Sequence, residues 1–221
     1  MTIEIRHDGP AGWLIFDRPD AANAIDAQMF VDLEQAWAEL DADDNVSVIV
    51  NTGNGHAFQS GLDVVQLARD PEALTASSRQ TERAELRLTA WHCGVTKPVI
   101  AAVNGICAGG GLHFVADADI VIASSNAEFL DPHVSVGQVT AFETIGMLKK
   151  SPMESIARMG SLGRHERVTA DRARQLGVLS EVVEPEKLRA RAQNIAETIA
   201  RHPLDQLRQL KRQLWAALEV A

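Results

Sequence analysis

The sequence predicts an α/β fold in which buried strands alternate with helices. Three observations favour this class: short runs of β-branched residues, helically spaced apolar residues between those runs, and glycine turns where the strands end. Strands that are separated by helices imply crossover connections and layers of helix packed on sheet. A chain of 221 residues is long enough for one such domain with a short helical addition.

The elements follow in chain order from the apolar pattern. Apolar residues recur at helical spacing over 27–41, between the first two predicted strands. The predicted strands are residues 13–16, 46–50, 98–103, 119–123 and 178–183. Each is a short apolar run, and turn residues such as those at 17–20 and 53–55 close the first two.

The C-terminal part has a different character. Helical spacing dominates from residue 186 to 218, and His202-Pro203 predicts a break between two helices. The second helix has an apolar stripe that we expect to pack on its own core or on a neighbouring subunit, formed by Leu204, Leu207, Leu210, Leu214 and Leu218. We therefore divide the chain into a core at 1–185 and a helical region at 186–221.

Composition and charge exclude several classes of protein. The 30 acidic and 21 basic side chains give a net charge of −9, which disfavours nonspecific binding to nucleic acid or to anionic membranes. Cys93 and Cys107 cannot form a disulfide scaffold, and no Cys/His cluster has zinc-ligand spacing. The first residues lack a signal-peptide pattern, and the apolar run at 98–103 is too short to span a bilayer. We expect a cytoplasmic protein without nucleic-acid or membrane partners.

A glycine-rich turn is the most informative feature for function. Segment 98–113 is a buried strand that continues to Gly109, Gly110 and Gly111, where a helix begins. Residues without side chains let a ligand lie against the backbone, and amides at a helix start are unpaired donors. Such a place suits a phosphate, a carboxylate or a carbonyl oxygen that becomes negative during a reaction. Three glycines considered alone fit a tight packing turn equally well.

A second glycine turn lies upstream at 55–63 and leads into another predicted helix, with Asp63 as the expected cap of its first amides. Two separate turns that each offer one N–H can form a two-donor oxyanion hole. A thioester carbonyl held in such a hole becomes an electron sink, so protons or nucleophiles can act at its α- and β-carbons.

Seven motifs resemble those of the enoyl-CoA hydratase/isomerase (crotonase) superfamily and occur in the same order. They are residues 16–25, 58–63, 97–105, 109–111, 118–123, 127–129 and 177–183. The resemblance implies a crotonase-type spiral of ββα units, a coenzyme A thioester substrate as in fatty acid metabolism, and homotrimers or hexamers. Family members usually continue for a few helical turns beyond the position of Ala221, so this chain departs from the family in length. The resemblance implies no metal or redox cofactor, because coenzyme A arrives with the substrate.

The resemblance further implies positions in the site. The backbone N–H groups of Leu62 and Gly110 correspond to the oxyanion donors. The substrate-binding positions that it implies are Gly61, Gly109, Gly111 and Gln138.

Both positions where family hydratases have catalytic glutamates are histidines in this chain, His113 after the glycine triplet and His133 after Pro132. A histidine with a pKa of about 6.5 can accept or donate a proton at neutral pH. We expect the helix dipole to keep His113 neutral as a base, and His133 to act as an acid or to position water. Asp131 and Glu143 either orient His133 or occupy ordinary loop and helix-face positions.

Three functions are compatible with these observations. We expect a lyase of the enoyl-CoA hydratase type in which the histidine pair replaces the glutamate pair. A hydrolase of the same superfamily is the second, acting on a thioester or on a 1,3-dicarbonyl compound, since a histidine after Asp-Pro also resembles the β-diketone hydrolases. The third is a non-catalytic acyl-CoA-binding protein that has kept the fold.

Other residues have weaker assignments. Cys107 is expected in the core, and Asp119 is expected to fix the start of a strand. Arg18 and Lys97 either contact coenzyme A phosphates or are solvated surface charges. His92 has no motif assignment and is expected to be an ordinary histidine.

Overall fold

The computed structural model describes residues 2–70, 87–139 and 142–219. The strands in these ranges are β1 (Ile3–Asp8), β2 (Ala11–Phe16), β3 (Val48–Gly53), β4 (Ala57–Gln59), β5 (Val99–Val103), β6 (Ile106–Ala108), β7 (Ile120–Ser124), β8 (Glu128–Leu130), β9 (Val168–Thr169) and β10 (Glu181–Val183). The helices are α1 (Ala27–Ala42), α2 (Val64–Arg69), α3 (Leu112–Ala116), α4 (Phe142–Gly146), α5 (Met153–Leu162), α6 (Ala170–Gln175), α7 (Leu188–Ile199) and α8 (Leu204–Glu219).

The strands form two sheets, and the chain alternates between them. The larger sheet has the order β1-β2-β3-β5-β7-β10 and the smaller one the order β4-β6-β8-β9. Neighbouring strands are parallel, except that β1 is antiparallel to β2 and β9 is antiparallel to β8. From β3 to β8 each strand of the large sheet is followed by one of the small sheet. This alternation produces a spiral, and the predicted α/β class is confirmed.

Strand β2 contributes to two cores, because successive side chains of a strand point to opposite faces. Leu14 and Phe16 join the main core, where the ring of Phe16 packs edge-to-face on that of Phe114 with centroids 4.8 Å apart. Trp13 and Ile15 point to the opposite face of the large sheet, which helix α7 covers. The large sheet is therefore buried on both faces, as expected for parallel strands joined by helical crossovers.

Prediction and structure differ at the ends of some elements. The strand predicted at 178–183 begins only at Glu181, because the N–H of Val178 donates to the carbonyl of Ala173 and completes the turn after α6. The break predicted at His202-Pro203 separates α7 from α8 as expected. Cys107 is fully buried in the main core, and burial raises the pKa of its thiol, which confirms its packing role.

Helix α8 is attached to the rest of the chain by polar side chains. Nζ of Lys211 lies 2.9 Å from Oδ2 of Asp119, and Nε1 of Trp215 donates to Oδ1 of the same carboxylate at 2.6 Å. Asp119 also accepts from the N–H of Val99, so its expected structural role is confirmed. Three leucines of the predicted stripe are exposed and do not pack on this chain's core: Leu210, Leu214 and Leu218. None of the helices in the described ranges combines the length and apolarity needed to cross a bilayer.

Candidate active site

The two glycine turns predicted from the sequence, which contain Gly61 and Gly110, contact each other. Gly61 has φ of +93°, and a Cβ at this position would stand 3.2 Å from the amide nitrogen of Gly110. Ile25 holds the upstream turn, since its N–H donates to Gly61 and its carbonyl accepts from Asp63. The N–H of Leu62, between these two contacts, has no acceptor in the described part of the chain.

The other predicted donor, the N–H of Gly110, lies in the glycine triplet. Gly109–Gly111 form a 3₁₀ turn that continues directly into α3, as predicted. The amide of Gly110 lies in the first turn, where N–H groups have no partner inside the helix. A Cβ at Gly111 would come within 2.3 Å of the carbonyl oxygen of Gln59, so a side chain there would push the two turns apart. The absence of side chains is what lets the turns of Leu62 and Gly110 approach each other.

His113 and His133 face the same carboxylate, although they come from different elements. His113 lies on α3, and His133 begins the 3₁₀ turn His133–Val136. Nε2 of His133 donates to Oε1 of Glu143 at 2.9 Å, and Nε2 of His113 lies 3.5 Å from Oε2 of the same residue. Glu143, on α4, is 6% exposed. One buried carboxylate therefore connects the two predicted catalytic rings.

His133 is held at both of its ring nitrogens. Its Nδ1 lies 2.5 Å from Oδ1 of Asp131, whose other oxygen accepts from the hydroxyl of Thr144 at 2.7 Å. The hydrogen bonds to Asp131 and then to Glu143 raise the pKa of His133 to about 10, against burial, which lowers it. His133 is therefore an imidazolium at neutral pH, and the orienting role expected for both carboxylates agrees with these contacts.

His113 has the opposite electrostatic character. Burial lowers the pKa of His113 below its usual value, while the nearby carboxylates of Glu143 and Asp117 oppose that shift. The ring is thus neutral at physiological pH, as expected from the sequence. Burial is the largest cause of the lowered pKa of His113, whereas the helix dipole was the cause expected from the sequence.

Glu143 remains ionised in spite of its burial. Desolvation raises the pKa of this carboxyl group, but the lowering effects, of which the hydrogen bond from the charged ring of His133 is the largest, together outweigh it, so the net shift is downward. The site thus holds a neutral imidazole, a carboxylate and an imidazolium in sequence. Such a set can accept a proton at one end and donate one at the other.

The sequence did not single out His92, which packs against His113. The two rings are 5.6 Å apart between centroids, with an interplanar angle of 71°. His92 Nδ1 lies 2.8 Å from the hydroxyl of Thr89, and that hydroxyl donates to Asp117 at 2.9 Å. Asp117 lies one helical turn after His113, which is a signal that the sequence did contain. Nothing in the spacing of His92 indicated its place.

One group in the described ranges has the spacing of a metal site. Ligand atoms of His92, His113 and Asp117 all lie within 4.8 Å of one another. Asp117, however, already pairs with Nζ of Lys149 at 3.1 Å and accepts from the hydroxyl of Thr89. Because an ammonium group supplies the positive charge that a metal would bring, these residues fit a satisfied polar cluster better than a metal centre.

Gln138 lies beside the site, on the turn that follows the 3₁₀ segment His133–Val136. Its N–H donates to the carbonyl of His133 at 3.0 Å, and its side chain is exposed. Its contact with substrate stays a prediction.

The supporting residues have clear structural partners. Asp63 accepts from the amides at the start of α2, which confirms it as a cap, and pairs with Arg18 at 2.9 Å. Lys97 is fully buried, and its Nζ donates to the carbonyls of Leu40 and Asp43 at the end of α1. Both predictions for Lys97, a contact with coenzyme A phosphates or a solvated surface charge, are therefore wrong.

Comparison with known proteins gives consistent matches. The model of a family described as enoyl-CoA hydratase/isomerase matches residues 12–221. The (E)-benzylidenesuccinyl-CoA hydratase of Thauera aromatica is 31% identical over 201 residues, which cover 90% of this chain and 77% of the relative. The 2,3-dehydroadipyl-CoA hydratase of Escherichia coli (strain K12) is 31% identical over 208 residues, covering 94% and 79%.

The fold is shared with solved structures as well. The crystal structure of an enoyl-CoA hydratase/isomerase from Mycobacterium paratuberculosis superposes with a TM-score of 0.91 at 36% identity, and the match covers 100% of this chain and 85% of that one. The predicted spiral fold with a helical C-terminal region is confirmed by this superposition.

Proposed function

The chain belongs to the enoyl-CoA hydratase/isomerase family, and from that membership we propose that it is a lyase that adds water to an enoyl-CoA thioester. One observation carries the proposal. The Glu143 carboxylate connects the neutral ring of His113 with the charged ring of His133. The ring of His133 also lies beside Gly109, in the glycine triplet that contains the proposed oxyanion donor Gly110. A Cβ on Gly109 would stand 3.6 Å from Cε1 of His133.

The backbone supplies the electron sink. The N–H groups of Leu62 and Gly110 donate to the thioester oxygen, which becomes negative when a nucleophile attacks the conjugated double bond. Fixed amide donors stabilise that charge without reorganising, and removing one such donor typically costs about 10²–10³ in rate. Their positions on two touching turns support this role.

The histidines then divide the proton transfers. Neutral His113 accepts a proton from water as the water oxygen bonds to the β-carbon, and the electron pair of the double bond moves toward the thioester oxygen. His133 then donates its Nε2 proton, which is hydrogen-bonded to Glu143 before the reaction, to the α-carbon of the resulting enolate. A pKa of about 10 does not prevent this transfer, because the enolate carbon is a much stronger base than imidazole. One water is consumed, one O–H bond breaks, and one C–O and one C–H bond form.

Glu143 completes the cycle. After hydration His113 carries an extra proton and His133 lacks one. Glu143 contacts Nε2 of both rings, so its carboxylate can take the proton from His113 and return it to His133. This route uses no metal or redox cofactor.

A specific observation also favours the second candidate, hydrolysis of a 1,3-dicarbonyl compound. Asp131 and Glu143 each bind one ring nitrogen of His133 and keep the ring protonated, and a protonated ring can donate to an enolate leaving group. In that reaction His113 removes a proton from water, the oxygen adds to one carbonyl, and the carbon–carbon bond breaks. The α-carbon then takes its proton from His133.

We extend the proposal to assembly and location. We propose a cytoplasmic location and a homotrimer or a pair of trimers. The assembly is supported by apolar side chains that this single chain leaves exposed near the site and on α8, namely Val64, Val65, Val134, Val136, Val139, Ile145, Leu210 and Leu214. Coenzyme A enters as part of the substrate, and no nucleic acid or membrane takes part.

A substrate panel tests the function. Enoyl-CoA and 3-oxoacyl-CoA compounds are incubated with the protein while the absorbance of the conjugated thioester and the release of free thiol are followed. Hydration lowers the absorbance without releasing thiol, thioester hydrolysis releases thiol, and carbon–carbon cleavage gives a shorter acid. A chain that binds these compounds without turning over any of them would contradict the proposal and support the non-catalytic function.

A further inference from the structure

We propose that His92 is a positioning residue for His113, and that Asp117 holds it in place through the hydroxyl of Thr89. The proposal deepens the proposed function, since it concerns the proton-transfer role of His113. The contacts on which it rests do not depend on which acyl compound is bound.

The three residues form one buried unit. Thr89, His92 and Asp117 are 1%, 7% and 6% exposed. The Thr89 hydroxyl is shared between Nδ1 of His92, at 2.8 Å, and Oδ2 of Asp117, at 2.9 Å. A hydroxyl hydrogen-bonded on two sides cannot rotate freely, so the ring of His92 has a fixed orientation.

That fixed ring is one wall of the space around His113. The edge-to-face contact at 5.6 Å leaves the His113 imidazole little room to turn away from Glu143. Removing the wall would leave a void lined by polar groups, which is the kind of cavity that admits water. His92 therefore both orients the ring of His113 and excludes water from the side of the ring that it covers.

The charged and titratable groups near His113 come from several elements. Glu143 contributes from α4, Asp117 from the end of α3, His133 from its 3₁₀ turn, Lys149 from the 3₁₀ turn Met147–Lys149, and His92 from the segment before β5. Loss of the Thr89 hydroxyl would remove one hydrogen-bond partner from the ring of His92 and one donor from Asp117. Water entry and a less neutralised carboxylate both favour the protonated form of His113. Both effects therefore move its titration to higher pH.

Thr89→Val removes the hydroxyl with almost no change in shape, and Thr89→Ser restores it. Thr52→Val is the matched control, because Thr52 is also fully buried and its hydroxyl donates to the carbonyl of Ala102, away from the site. The measurements are an NMR titration of the His113 ring nitrogens and the pH profile of kcat/KM. His92→Gln, which removes the ring but retains a hydrogen-bonding side chain, is a second variant that tests the packing of His92 against His113.

We expect Thr89→Val and His92→Gln to move the titration midpoint of His113 and the acid limb of kcat/KM to higher pH together. We expect kcat to fall about tenfold to a hundredfold with little change in KM, as for a misplaced catalytic group. Thr89→Ser should restore both readouts, and Thr52→Val should lower thermal stability alone. An unchanged midpoint in both site variants, or an equal shift in Thr52→Val, would overturn the proposal. If the wild-type chain turns over no substrate, the proposed function fails, while the NMR titration still decides the positioning role.

Discussion

Glu143 accepts a 2.9 Å hydrogen bond from Nε2 of His133, so that a buried carboxylate and a partly buried imidazolium form an ion pair inside the site. The carboxylate comes from α4, not from either of the positions where the family resemblance implies glutamates. The usual arrangement of two carboxylates is thus exchanged for one carboxylate between two imidazoles. The two rings have different protonation states at neutral pH, and the proposed function uses this difference to separate the acid from the base.

Replacing either histidine should remove most of the activity. We expect His113→Gln and His133→Gln each to lower kcat on the order of 10²–10⁴-fold, since glutamine forms hydrogen bonds but transfers no proton at neutral pH. KM should change little. Steady-state kinetics on the substrate identified by the panel provide the measurement, with His202→Gln as the control because His202 is exposed and lies in the break between α7 and α8. Full activity in both site variants would contradict their catalytic role.

The charge of Glu143 can be tested separately from its shape. Glu143→Gln retains the size of the side chain but removes the negative charge next to His133. We expect the titration midpoint of His133 to fall below its value of about 10, and kcat to fall about 10²-fold because the proton route between the rings is broken. NMR titration and kinetics check the two effects. Glu154→Gln, at an exposed position on α5, should change neither, and an unaltered His133 midpoint in Glu143→Gln would rule out the ion pair.

The raised pKa of His133 predicts how stability depends on pH. The folded protein binds this proton more tightly than the unfolded chain, whose histidine titrates at about 6.5. The contribution to stability is therefore complete below about pH 6.5 and is lost as the pH rises toward 10. Urea unfolding between pH 6 and pH 10 should show the free energy of unfolding decreasing over this window. His133→Gln should make that decrease smaller. If the free energy of unfolding falls equally with pH in the variant and the wild type, the raised pKa of His133 does not contribute to stability.

A methyl group on Gly61 should damage the proposed oxyanion hole. Its Cβ would lie 3.2 Å from both the carbonyl oxygen of Ala108 and the amide of Gly110, where it crowds the space between the two donor turns. Gly9 is the matched control, because it also has a positive φ, whereas a Cβ added there would meet no atom within 4 Å. Both substitutions to alanine should destabilise the chain by about 1–2 kcal/mol. We expect Gly61→Ala alone to lower kcat, by at least about tenfold.

Lys97→Met tests whether Lys97 stabilises the fold and does not contact coenzyme A phosphates. The buried ammonium satisfies the carbonyls of Leu40 and Asp43, so its loss should destabilise the fold by about 1–3 kcal/mol. KM for an acyl-CoA should not change, because the side chain is fully buried. Urea unfolding and steady-state kinetics give the two values. A clearly raised KM with unaltered stability would return Lys97 to a role in phosphate binding.

Much of the fold could be predicted because it depends on local pattern. Strand β5 is apolar on both faces and lies in the middle of the large sheet, and α1 has the periodicity of a helix with one buried side. The short strands β4, β6 and β8 were not predicted, since three residues are too few to show a period. They matter for the site, because β4 and β6 lead into the two glycine turns.

Residue types and their spacing along the chain were enough to predict the α/β order of elements and the two glycine turns. Together with the family resemblance, they were also enough to identify His113 and His133 at the positions of two glutamates. These features lie within single segments and need no knowledge of distant contacts. Three other features became visible only in the folded chain: Glu143 connects the two rings, His92 closes one side of His113, and Lys97 is buried. They could not be predicted because protonation state and orientation depend on solvent exclusion and on charges from other segments, which only packing brings within a few ångströms.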